Sequence, residues 1–128
     1  MAIQVVRLGT ERSKDEGLRL GTVRRPPRGV KKSDYALQNW YDVWLPILSP
    51  SPELMKLAQS AETDKEWAAF VKKFRKELSA PDASRTLDLL AAFSKDSNFS
   101  IGCYCEDEAH CHRSVLRILL AERGASIK

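Results

Sequence analysis

A chain of 128 residues, 43% hydrophobic and 30% charged, has enough apolar material for one real core and the balance of an ordinary globular domain. No apolar run approaches the roughly eighteen residues of a membrane span, and Met1–Leu8 lacks a basic segment followed by an apolar core, so neither a span nor a secretory leader is expected. Three cysteines, an odd number, argue against a disulfide framework and fit a reduced, cytoplasmic setting. The net charge of +4 is uneven: residues 1–32 hold nine Lys or Arg against three acids. Arg24, Arg25, Arg28, Lys31 and Lys32 concentrate the excess, a cluster suited to phosphates or nucleic acid, or simply a solvated basic loop.

In chain order, Ile3–Leu8 is β-rich and predicts a strand, and the polar stretch 9–17 predicts a loop. Arg19–Val23 predicts a second strand, stopped by Pro26-Pro27, because proline removes a donor and restricts the residue before it. Ser33-Asp34 is placed to cap a short helical piece through Leu37. Trp40, Tyr41, Val43, Trp44 and Leu45 are expected to pack half-buried against the sheet, with ligand stacking by a tryptophan as the alternative. Ser51-Pro52 reads as an N-cap followed by proline at the first helical position, and Leu54, Leu57 and Ala58 give that helix a short apolar face.

The clearest helix starts at Thr63, which has capping-box spacing to Glu66. Trp67, Phe70, Val71, Phe74 and Leu78 recur at steps of three and four along it. Ser79-Ala80-Pro81 breaks that helix and starts another, whose apolar face is Leu87, Leu90 and Ala91. Phe99–Tyr104 predicts a buried strand, followed by a helix from about His112 to Arg123 that stops at Gly124. Ala125–Ile127 is a candidate final short strand. Strands separated by long helical insertions predict a single α/β domain over residues 1–128, with a parallel or mixed central sheet flanked by helices.

Two groups of residues carry a family pattern. One is Arg24-Arg25-Pro26-Pro27-Arg28-Gly29-Val30-Lys31-Lys32, followed by the tryptophan segment and Leu48–Leu54, with Phe70 and Lys73–Leu78 further on. The other is Cys103-x-Cys105 with Cys111-His112-Arg113. Over most of residues 19–123 the chain resembles the YeaO-like family of uncharacterised proteins, domain of unknown function DUF488. The resemblance implies a compact α/β domain and a shared site lined by Arg24, Arg28, Cys103, Cys105, Cys111, His112 and Arg113. It implies no settled biochemistry. Val23 and Pro26 depart from the pattern, standing where the family usually has an aspartate and a tryptophan.

All three cysteines and both histidines fall between Cys103 and His112, at the end of a predicted strand and the start of a predicted helix, where α/β proteins gather ligands and chemistry. On a strand Cys103 and Cys105 share a face, with Tyr104 on the other. Arg113, Ser114 and Arg117 share an arc of the last helix near its free amides and positive dipole end, which suits a phosphate or carboxylate. The alternative pairs Arg113 with Glu106, Asp107 or Glu108.

Cys111, beside His112 and Arg113, is a candidate nucleophile with His112 as base, or else a packed, inert thiol. Cys111 and Arg117 have the Cys-x5-Arg spacing of cysteine phosphatases, but the interval His-Arg-Ser-Val-Leu is bulky and helical and does not curl around an anion. Cys105, Cys111, His110 and His112 are potential zinc ligands, although their spacing matches no zinc ribbon or finger, and no cofactor is implied. Two functions follow as expectations. One is a domain that binds or acts on a small anionic, phosphate-bearing or nucleotide-like ligand, with Arg24, Arg28, Arg113 and Arg117 holding it. The other is a non-catalytic module that binds nucleic acid or protein through residues 24–32.

Overall fold

The computed structural model describes residues 1–128. Four strands, β1 (Ile3–Arg7), β2 (Leu18–Gly21), β3 (Val43–Trp44) and β4 (Phe99–Cys103), form one sheet in the order β1-β4-β2-β3. Every pairing is parallel, which resolves the expected parallel or mixed sheet. The last strand in sequence therefore lies inside the sheet, with Phe99 opposite both Ile3 and Leu18, and Ile101 opposite both Val5 and Leu20. A strand buried on both faces needs no polar alternation, and all five residues of β4 are buried.

Four α-helices complete the fold: α1 (Pro52–Ser60), α2 (Asp64–Glu77), α3 (Pro81–Phe93) and α4 (His112–Glu122). None is long and apolar enough to cross a membrane. Their apolar stripes meet Ile3, Leu20, Phe99 and Ile101, alternate residues on one face of the sheet, in a single core. Leu54 of α1, Phe70 and Phe74 of α2, Leu87 of α3 and Leu116 and Leu120 of α4 are among its buried members. Thr63 caps α2 as half of the expected box: its hydroxyl accepts from the Glu66 amide at 3.1 Å and donates to the Glu66 carboxylate at 3.2 Å.

The opposite face is covered by loops rather than by helices. Arg19 and Ser100 rise from it to meet Glu16, while Gly21 and Gly102 leave room for the Tyr41 ring and the Leu8 side chain to lie directly on the strands. Gly17 closes the loop before β2 with φ +74°, and a Cβ there would collide with the Asn98 backbone carbonyl. Gly17→Ala is expected to cost at least about 2 kcal/mol, from left-handed strain plus that collision, read as a shift of the denaturant midpoint at unchanged slope.

Several local expectations change. The aromatic segment includes β3, too short to show periodicity. The helical piece after Ser33 is one 3₁₀ turn, Lys32–Asp34, and Leu37 lies 81% exposed beyond it. The Ser51 side chain does not cap α1; its backbone amide instead donates to Glu77 at 2.8 Å, tying α1 to α2. The expected terminal strand is reduced to one parallel bridge, Ile3 to Ile127.

Candidate functional site

Where β2 and β4 end side by side, the chain leaves the sheet as Thr22–Arg25 and as Tyr104–Cys105, and α1 closes over the gap. The result is a pocket of about 370 Å³ at the carboxyl ends of adjacent parallel strands. Its far wall is Pro52, Met55, Lys56 and Gln59, one face of α1 at helical spacing. Arg24 and Arg25 form the near wall, and Cys103, Tyr104 and His112 the inner end. Three cations and no carboxylate line it, and none of Arg24, Arg25 and Lys56 is held in an ion pair.

The early arginine turn and the thiol segment are stitched together. The Tyr104 hydroxyl donates to the Arg25 carbonyl at 2.8 Å, and His112 Nε2 meets the Thr22 carbonyl at 2.5 Å. Arg24 is anchored by the carbonyls of Ser49 and Pro50 through Nε and one terminal nitrogen. Those bonds leave its other terminal nitrogen uncommitted.

A carbonyl only accepts, so His112 Nε2 carries the proton and Nδ1 presents a lone pair. That lone pair faces Cys103 Sγ at 3.6 Å. Burial pushes the His112 imidazole below its ordinary range, so it is neutral at pH 7. Cys103 Sγ lies 3.7 Å from Cys105 Sγ, and Cys103, Cys111 and His112 bring their ligand atoms within 4.8 Å of one another. Hydrogen bonds from Cys103 and then Cys111 hold the Cys105 thiol far below the ordinary thiol range. The Cys103 thiol is driven up by its bond to Cys105. For Cys111 the bond from Cys103 lowers the thiol, but the bond to Cys105 and burial outweigh it and raise it to about 11.

The expected site residues divide into two groups. Arg24, Cys103 and His112 line the pocket, and Cys105 and Cys111 sit behind Cys103. Cys111, expected as nucleophile, is 1% exposed, and His112 turns to Cys103 rather than to Cys111 because its other nitrogen is fixed by Thr22. Arg113 is 3% exposed and donates to the carbonyls of Cys105 and Glu106, fixing the loop through backbone rather than through an acid. Arg117 is bound by Glu108 at 2.7 Å and stays outside the pocket. Arg28 lies exposed on the Gly29 turn, also outside it. Arg25, expected only as part of the basic cluster, also lines the wall, as do Lys56 and Tyr104, which the sequence does not single out. The recurrence of Pro52, Met55, Lys56 and Gln59 at one helical face was the available signal for Lys56. Trp44 Nε1 donates to the Val23 carbonyl at 2.7 Å, so this tryptophan braces the turn below the pocket.

The DUF488-N3a family model, described as the active DUF488-N3 subclade, matches residues 3–124. The chain belongs to the DUF488-N3a family. The match spans the sheet, all four helices and every residue of the pocket, and it bears out the DUF488 resemblance read from the arginine and cysteine blocks. No curated protein and no solved structure matches this DUF488-N3a chain.

Proposed function

We propose that the protein binds a small anionic ligand, phosphate-bearing or nucleotide-like, in the pocket between β2, β4 and α1. The observation that carries this is the lining: Arg24, Arg25 and Lys56 converge on one cavity with no carboxylate among its walls and no ion pair to neutralise them. Like charges drawn together around a concave, partly apolar space repel one another, and an anion relieves that cost. The size suits a phosphate monoester with part of a ring or chain, which Met55, Val23 and Tyr104 would contact. Description of the matched subclade as active accords with a retained site. The groups offered to a bound ligand at the inner end are Cys103 and His112; Cys111 lies too deep to meet it.

Arg28, Lys31 and Lys32, exposed and in no ion pair, favour the second reading, a basic surface for nucleic acid. Calorimetric titration of the full chain with inorganic phosphate, a nucleoside monophosphate and a short single-stranded oligonucleotide separates the two. The pocket reading predicts saturable one-to-one binding of the monophosphate that survives neutralisation of Arg28, Lys31 and Lys32 to Gln. Binding of the oligonucleotide alone, abolished by those same changes, would replace it with the surface reading.

A further inference from the structure

We infer that Cys103, Cys105, Cys111 and His112 form a zinc site, with three thiolate sulfurs and the imidazole Nδ1 as ligands. It stands on the thiol cluster alone and holds whether or not the neighbouring pocket takes an anion. Tetrahedral zinc, with sulfur at about 2.3 Å and nitrogen at about 2.0–2.1 Å, sets ligand atoms about 3.8 Å apart for two sulfurs and about 3.5 Å for sulfur and nitrogen. The structure has 3.7 Å between Cys103 Sγ and Cys105 Sγ and 3.6 Å between Cys103 Sγ and His112 Nδ1. The ligand atoms of Cys103, Cys111 and His112 lie within 4.8 Å of one another, and Cys105 joins the set through its 3.7 Å contact with Cys103.

Two further features are those of a metal centre's surroundings. The Thr22 carbonyl accepts from His112 Nε2 and so fixes the tautomer that leaves Nδ1 as a ligand, the usual outer partner of a coordinating histidine. Arg113 is a buried cation with no carboxylate partner: it is 3% exposed, bonds only to neutral carbonyls, and leaves Nε without an acceptor. A divalent ion held by three thiolates and a neutral imidazole has a net charge of −1, which balances that guanidinium. Binding releases to solvent whatever protons the three thiols still hold, and nothing is oxidised. Thiolate sulfur with one imidazole selects zinc over the oxygen-seeking cations. His110, a potential ligand by residue type, is instead turned outward to Asp107 at 2.9 Å.

The test is elemental analysis and native mass spectrometry of the untagged full chain produced with zinc, followed by cobalt reconstitution of the stripped protein. The inference predicts about one zinc per chain and, with cobalt, the visible bands and thiolate charge-transfer of a tetrahedral centre. Cys105→Ser is expected to weaken zinc affinity by more than the roughly 100-fold upper range for loss of an outer-shell partner, and His110→Ala to leave it unchanged. Because a cysteine variant can fail to fold, the cobalt spectrum of the wild-type chain stands as a separate readout. A chain without zinc that gives no tetrahedral cobalt spectrum overturns the inference. So does a Cys103–Cys105 disulfide in protein isolated under reducing conditions, or zinc content that is indifferent to Cys105→Ser in a folded variant.

Discussion

Arg19→Met is expected to destabilise the protein by about 3–5 kcal/mol, the range for breaking a buried ion pair from one side. Arg19 is wholly buried, and its guanidinium holds both carboxylate oxygens of Glu16 at 2.7 and 2.9 Å. It also donates to the carbonyls of Thr10 and Asn39, which binds the two covering loops to the sheet. Removing it strands a carboxylate that keeps only Ser100 and the Ser13 amide as donors. The double change Arg19→Met with Glu16→Leu is expected to recover most of the pair's share, since a buried pair replaced by apolar groups is often neutral. A residual deficit remains from the two carbonyls left without a donor. Chemical denaturation of the wild type, both single variants and the double closes that cycle.

The same pair sets an acid limb. Burial works against the Glu16 charge, but hydrogen bonds from Arg19 and Ser100 and the charge of Arg19 outweigh it and hold the carboxyl below the ordinary glutamate range. A carboxyl depressed on folding contributes stability that is full above its unfolded pKa and is lost as pH falls through the folded value. Burial likewise opposes the Asp42 charge and is outweighed by the Arg12 side chain and the Arg19 amide. Stability should therefore fall from about pH 5 downward, and less steeply in the double variant.

The helix-bearing face of the sheet was legible because its rules are local. Thr63 and Glu66, the stripe from Trp67 to Leu78, Pro81 and Gly124 each mark an element through backbone chemistry that acts within a few residues. The loop-bearing face was not legible. Nothing near Arg19 in sequence says that it turns inward to Glu16, and a buried arginine violates the pattern by which strands are read. The thiol segment was found because Cys103, Cys105, Cys111 and His112 are rare residues close in sequence. Their internal pairing was missed because Thr22, eighty residues before Gly102 in the same hydrogen-bonded register, decides which way His112 faces. The helix arc of Arg113 and Arg117 suits an anion or an acid of the preceding loop equally, and only the loop 105–108 folding back shows that carbonyls hold Arg113 and Glu108 holds Arg117.

Lys56→Glu is the change with the largest expected effect on ligand binding. It removes one of three pocket cations and adds the carboxylate that the walls lack, on an exposed helical position outside the hydrophobic core. Opposite charges a few ångströms apart near a protein surface interact by a few kcal/mol before screening, so the loss is expected at roughly 10- to 100-fold in Kd for a nucleoside monophosphate. Rising salt should weaken the wild-type complex in the same direction, because the cations are open to solvent. Folding stability should change by no more than about 0.5 kcal/mol, as for surface positions generally. A Lys56→Glu protein that is folded and binds the monophosphate as tightly as wild type would place the ligand elsewhere.

Amide chemical-shift mapping of the full chain during a nucleoside monophosphate titration reads the occupied surface residue by residue. Saturating shifts are predicted at Val23, Arg24 and Arg25, at Met55, Lys56 and Gln59, and at Tyr104 and His112, with Arg28, Lys31 and Lys32 unmoved. Shifts confined to Arg28–Lys32, or none at saturating ligand, would contradict a pocket at the carboxyl ends of β2 and β4.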